Sequence, residues 1–259
     1  MTVAVSIVLT NQKGGVGKTT TSGAIAAGLS KKGRNVLSVD LDPQGNLGFS
    51  LGMNIEEGHT MYEVLKKEIP IQEAIRTSDE YGDVLTSNIL LSEAEMILKG
   101  ENRQLVLKQV LKEVEDDYDY IIIDTPPSLN ILTVSGYAAA DYLIIPMAAE
   151  ILSLVGLVQL KETIEAVQDS VNPDLHVLGI LLTRFSQRTN LARDVQDMAK
   201  TVAFQIGTEI FDSKIRTGVS VAEAPAHGRS ILDYSPRSNP SKDYREFIEE
   251  LLHKIKNQA

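Results

Sequence analysis

Val3-Ala4-Val5-Ser6-Ile7-Val8-Leu9-Thr10-Asn11-Gln12-Lys13-Gly14-Gly15-Val16-Gly17-Lys18-Thr19-Thr20 joins three signals: an apolar β-rich run over Val3–Thr10, a glycine-rich turn, and the start of a helical pattern over Lys18–Lys32. Strand, loop and helix in that order are the setting a phosphate-binding loop requires. Gly14, Gly15 and Gly17 let backbone N–H groups curl around phosphate oxygens without a Cβ in the way, and the helix N-terminus adds partial positive charge. The cradle therefore runs through Gly14, Gly15, Val16, Gly17, Lys18, Thr19 and Thr20, with Lys18 placed for the β- and γ-phosphates and the Thr19 hydroxyl for Mg²⁺. A bare three-glycine turn could be only a tight entry into a helix, but Gly-Lys-Thr-Thr on the helix start argues against that. The general pattern G-x-x-x-x-G-K-[ST] is met except at its first glycine, where Gln12 stands.

Outward from this segment, apolar runs at Val36–Asp40, Tyr120–Asp124, Tyr142–Pro146 and Val177–Thr183 have the length of strands buried on both faces of a parallel sheet. Helical patterns cover Arg103–Glu115, Leu152–Val171 and Leu191–Phe204. With 259 residues, 43% of them hydrophobic, the alternation predicts an α/β chain: one domain over 1–259, a doubly wound, mostly parallel sheet flanked by helices, with right-handed crossovers. Such sheets bind ligands at the carboxyl ends of their strands. The unusual residues gather there, in Asn11–Thr19, Asp40–Asn46 and Asp124–Ser128.

Two of these segments are acidic. Asp40 and Asp42, two residues apart at a strand end, point to the same side, where one could meet the solvent shell of Mg²⁺ and the other an attacking water. An Asp-Pro turn is the plainer alternative. Asp124 closes an apolar strand, and burying it without a cation nearby would be costly. Pro126 and Pro127 then stiffen the turn that follows.

Composition narrows the function further. The absence of cysteine excludes disulfides, thiolate metal sites and cysteine nucleophiles. No stretch approaches a membrane span, and the glycine-rich loop comes too early for a signal peptide, so a cytoplasmic protein is expected. The net charge is −10, but unevenly spread: residues 1–175 hold 13 Lys and Arg against 25 Asp and Glu, and residues 176–259 hold 12 against 10. A basic surface can be assembled only in the C-terminal third, where Arg184, Arg188, Arg193, Lys214, Arg216, Arg229, Arg237 and Lys242 lie. The last helical pattern, Asp243–Lys256, aligns Tyr244, Phe247, Ile248, Leu251, Leu252 and Ile255 on one face. Its polar face carries four acids among its bases, which favours docking on the protein's own core over lying on a membrane.

The string KGGVGKT, with its second lysine at Lys13, resembles the deviant Walker A box of the ParA/MinD superfamily. That resemblance implies that Lys13 reaches across a homodimer interface to the partner's nucleotide, much as an arginine finger does, so that ATP binding and dimerisation are linked. DLDPQGN resembles the family's switch I, which makes Asp42 the water-orienting carboxylate and places Asp40 nearer the metal. Tyr120–Ser128 resembles a Walker B strand with the DTPPS switch II, giving Asp124 a Mg²⁺-bound water. Ile180–Phe185 is similar to the segment that contacts the base, and Val221–Leu232 resembles the C-terminal EAPSHGKP-like stretch. The chain departs from the family after Pro146, where a glutamine is usual and Met147-Ala148-Ala149-Glu150 stands instead.

No guanine-reading N-K-x-D or T-K-x-D motif occurs, so the expected nucleotide is ATP. The resemblance is to the short ParA partition ATPases, without an N-terminal helix-turn-helix. It implies hydrolysis of ATP to ADP and phosphate with Mg²⁺, non-specific DNA binding by the ATP dimer, stimulation by a ParB-type centromere-binding protein, and a place on the nucleoid with no membrane contact. For DNA the favoured residues are Lys214, Arg216, Arg229 and Lys242. A MinD-like membrane-associated positioning ATPase is the alternative.

Overall fold

The computed structural model describes residues 3–150, 152–186 and 190–258. Seven strands, β1 (Val5–Leu9), β2 (Val36–Asp40), β3 (Ile75–Ser78), β4 (Gly82–Leu85), β5 (Tyr120–Asp124), β6 (Tyr142–Ala148) and β7 (His176–Thr183), form one sheet in the order β3-β4-β2-β5-β1-β6-β7. Every pairing is parallel except that of β3 with β4. The five apolar runs read from the sequence are all strands. The first is shorter than expected, and Tyr142–Pro146 extends to Ala148.

Alternation along the central strands builds a core on each face. Ile121 and Ile123 of β5 pack on one side with Val8, Leu37 and Val39, under helices that include Ile131–Ala139 and Leu152–Ser170. Ile122 packs on the other with Ile7, Leu9 and the helix Lys18–Ser30. On this second face the terminal helix, Asn239–Gln258, buries Tyr244, Phe247, Ile248, Leu251 and Ile255. Each contributes about 1.5–3 kcal/mol. Gly28 gives the helix its close approach, since a Cβ there would collide with Ile248 Cδ1. The apolar face is thus taken up by the core, as the mixed charge of its polar face suggests.

Two features depart from the sequence reading. The edge hairpin of β3 and β4 is too short and too polar to signal strands, and its turn needs Gly82, at φ +78, where a Cβ would sit 2.6 Å from the Val36 carbonyl oxygen. The helix expected over Arg103–Glu115 breaks into a 3₁₀ turn at Arg103–Leu105, an α-helix at Val106–Leu111 and a 3₁₀ turn at Glu115–Asp117. Three consecutive acids at that end oppose the negative pole of a helix, which favours stopping it early. Among the described residues no helix is long and apolar enough to cross a membrane.

The strand order fixes where the site lies. β2, β5 and β1 are neighbours, with Asp40 and Leu9 both in register with Asp124. The three segments singled out in the sequence therefore leave adjacent strands on one edge.

Candidate nucleotide site

Gly15 and Gly17 adopt left-handed φ of +73 and +89, a conformation only glycine takes without strain. Gly17 caps the helix Lys18–Ser30 with no side-chain acceptor, so the first-turn N–H groups face the loop. Two polar side chains strap the loop to the sheet. Asn11 Nδ2 donates to the Pro146 carbonyl at 2.8 Å while Asn11 Oδ1 accepts from the Lys13 N–H at 3.0 Å. The Thr183 hydroxyl, at the end of β7, donates to the Val16 carbonyl at 2.7 Å. The Thr125 hydroxyl donates to the Leu9 carbonyl at 2.8 Å and ties the end of β5 to that of β1.

Lys18 is buried, and its Nζ donates to the Lys13 carbonyl at 3.4 Å, a long contact. Burial lowers its pKa, opposed by the negative charges of Asp124 and Asp42. Asp124 is fully buried. Burial pushes its pKa up to about 6, against the hydroxyls of Thr19 and Ser22, which donate to it at 2.7 and 2.9 Å, and the charge of Lys18. Such a carboxylate gains from a cation placed beside it.

These residues fit a nucleotide with Mg²⁺. A Cβ built at Gly15 meets nothing within 4 Å, so the protein's own side chains do not fill the loop there. Among the described residues no three His, Cys, Asp or Glu side chains are grouped to hold a metal alone. Mg²⁺ needs no such cage, because it keeps several waters and takes its remaining ligands from phosphates and one or two protein oxygens. Thr19 and Asp124 can supply those.

The acids of the second segment divide their work. Asp40 Oδ1 accepts from the Asp42 N–H at 3.0 Å, and Oδ2 accepts from the N–H groups of Leu47 and Gly48 at 2.9 and 3.3 Å. Burial first and Asp124 second hold its pKa well above the usual carboxylate range. Asp40 thus ties down the turn that carries Asp42, and it lies near enough to Asp124 for the two charges to act on each other. Asp42 Oδ1 accepts from the Gln44 N–H at 3.0 Å.

The Lys13 side chain meets Glu150 just past the end of β6. Its Nζ donates to Glu150 Oε2 at 2.8 Å, and Arg184 Nη1 lies 3.5 Å from the other oxygen of that carboxylate. Glu150 takes over the corner where the sequence departs from the family pattern. The sequence reading gave no individual role to Asn11, Ser22 or Thr183. Ser22 could have been found, because it lies one helical turn beyond Lys18. Thr183 could not, since its partner is 167 positions away.

The basic residues of the C-terminal third do not share one environment. Arg216 forks onto Asp243, its Nε 2.9 Å from Oδ2 and its Nη2 on Oδ1, while its N–H donates to the same carboxylate at 2.9 Å. Lys214 lies 5.7 Å from the Phe185 ring centre. Lys242 is exposed beside Asp243, and Arg229 is exposed next to Gly228, which packs on Gly52. Arg184 and Arg237 are exposed, Arg193 lies on the helix Asn190–Ile206, and Arg188 falls outside the described residues.

A family model described as an AAA domain matches residues 4–177. The chain is 39% identical over 249 residues to the chromosome-partitioning ATPase Soj of Treponema pallidum, covering 95% of this chain and 96% of that one. Among solved structures it resembles cobyrinic acid a,c-diamide synthase from Mycobacterium smegmatis with bound ATP analogue and magnesium, at 36% identity and TM-score 0.86 over 99% of this chain and 98% of that one. It also resembles a single-substitution variant of McdA from Cyanothece in complex with ATP, at 25% identity and TM-score 0.85 over 98% of each chain. With its loop, its two acidic strand ends and these relatives, the chain belongs to the ParA/MinD family of P-loop ATPases, using ATP with Mg²⁺.

Proposed function

We propose that the protein is a DNA partition or positioning switch in which ATP drives a sandwich homodimer that grips non-specific DNA, and in which hydrolysis, stimulated by a ParB-type partner, releases it. Lys18 and the N–H groups from Gly14 to Thr20 bind the phosphates. Thr19 and Asp124 hold Mg²⁺, which would offset charge on the phosphoryl oxygens when bound. Asp42 orients the attacking water, and Asp40 keeps the Asp42 turn in shape. Lys13 acts on the partner's nucleotide.

The observation that carries this reading is Gly14. It has an ordinary φ, it is exposed, and a Cβ there would meet nothing within 4 Å. Neither its backbone nor the packing of its own chain calls for glycine, which supports the close approach of a second phosphate loop at this point. Lys13, turned toward the rim at Glu150, points the same way. The DNA contacts rest on the exposed Arg229 and Lys242 together with Lys214, and pairing two such patches in a dimer raises avidity without new contacts. Arg216, held by Asp243, supports the segment that carries them.

Binding to random-sequence DNA across a salt series, with ATP and with ADP, tests the reading. ATP-dependent binding with a steep salt slope is expected. Turnover without any acceptor substrate, and no ATP-dependent DNA binding at low salt, would move the function to a membrane-bound or protein-bound switch.

A further inference from the structure

Arg76 belongs to none of the sequence motifs. It sits on β3, the antiparallel edge strand, opposite Val84 of β4. Its Nη1 donates to the Asn54 carbonyl at 2.6 Å and its Nη2 to the Thr86 hydroxyl at 2.6 Å. Its Nε is buried with no hydrogen-bond partner among the described residues, so the other two nitrogens set where the planar group lies. One guanidinium thus joins the loop after the helix Asn46–Ser50 to the end of β4.

Both joined segments press on the turn that carries Asp42. From one side, Ile55, the neighbour of Asn54, lies so close that a Cβ at Gly45 would be 3.0 Å from Ile55 Cδ1, and one at Gly48 3.2 Å from Ile55 Cγ2. From the other, a Cβ at Gly48 would be 2.8 Å from Thr86 Cγ2, and one at Gly45 2.8 Å from the Ser87 carbonyl oxygen. The gripped glycines are bonded directly to the acids. The Gly45 N–H donates to the Asp42 carbonyl at 2.9 Å, and the Gly48 N–H to Asp40 Oδ2 at 3.3 Å.

We propose that Arg76 is a positioning residue for ATP hydrolysis: by clamping Asn54 to Thr86 it holds Ile55 and Ser87 against the Asp42 turn and so aims the Asp42 carboxylate at the attacking water. The assignment rests on Asp42 being the water-orienting group. The phosphate loop follows β1, whereas both hydrogen bonds of Arg76 go to the segments around the Asp42 turn, so loosening the clamp costs the transition state and spares the bound substrate. A guanidinium is suited to the task because its planar fork satisfies two acceptors in fixed directions.

Steady-state ATP hydrolysis by Arg76→Met, Asp42→Ala and the double variant tests the proposal. Arg76→Met keeps the apolar stem and deletes both bonds. It should lower kcat about tenfold with KM for ATP changed by less than about twofold, since small misplacements of a catalytic group are costly to turnover. In the Asp42→Ala background the same change should have no further effect on kcat, because the group it aims is gone. Thr86→Val, which removes one bond and leaves Arg76 in place, should lower kcat in the same direction by a smaller factor, and serves if Arg76→Met does not fold. Parental kcat in Arg76→Met and Thr86→Val, or an undiminished additional loss in the Asp42→Ala background, reduces Arg76 to a structural contact and leaves Asp42 standing. Parental turnover by Asp42→Ala overturns the reading of Asp42 and the Arg76 assignment with it.

Discussion

Lys18 and Arg216 are both basic residues that the sequence singles out, and the fold treats them in opposite ways. Lys18 sits on a loop whose backbone is dictated by its own glycines, and among the described residues its ammonium's hydrogen bond is a long one to the Lys13 carbonyl. Its charge is available to a phosphate. Arg216 has met a carboxylate on the terminal helix, 27 positions away, and binds it through both its side chain and its N–H. Its guanidinium is paired within the chain, while its side chain stays 41% exposed. A compact motif makes a side chain's role legible because sequence neighbours set its surroundings. A basic residue in a dispersed patch shows only its charge, because its surroundings come from elsewhere.

The contrast can be tested by substitution, from strong effects to weak. Lys18→Ala should weaken ATP binding by about 100-fold or more, as expected for deleting a cation aimed at phosphate in a partly dry site, and titration with a fluorescent nucleotide reads it. Nucleotide affinity near the parental value would mean the backbone cradle alone holds ATP. Asp42→Ala should keep ATP affinity and lower kcat by about 100-fold. Loss of binding with the parental kcat would make Asp42 a ground-state contact.

Arg216→Ala leaves Asp243, whose side chain is 5% exposed, without its cation. Unfolding by denaturant should show a loss of about 1–3 kcal/mol with ATP affinity unchanged. Lys242→Ala and Arg229→Ala, at exposed positions, should shift stability by no more than about 0.5 kcal/mol while each removes about one unit from the salt slope of DNA binding. If Arg216→Ala instead keeps its stability and flattens the slope, the line drawn between committed and available charges fails.

Much of the site could be read in advance for the reason Lys18 illustrates. Five strands stood out because burial on both faces makes them unbroken apolar runs, and three of them end in the loop, Asp42 and Asp124 segments that the sheet brings to one edge. The terminal helix announced its docked face through spacing. The edge hairpin β3 and β4 stayed hidden because Ile75-Arg76-Thr77-Ser78 has one apolar side chain and owes its structure to pairing with β4. Glu150 was visible only as a departure from a pattern, and its salt bridge to Lys13 spans 137 positions. Arg76 shows the same limit most sharply: nothing near it in sequence reveals that it braces the Asp42 turn.

Sedimentation velocity with Mg·ATP and with Mg·ADP tests the nucleotide-controlled homodimer most directly, on the parental protein, Gly14→Val and Lys13→Ala. The parental chain should be a dimer in ATP and a monomer in ADP. Gly14→Val, which has open space within its own chain, should fold and bind nucleotide yet remain monomeric, and Lys13→Ala should bind ATP without dimerising or turning it over. Monomers of the parental protein at saturating ATP, or ATP-dependent dimers of both variants that match the parent, would contradict a switch built on two facing phosphate loops.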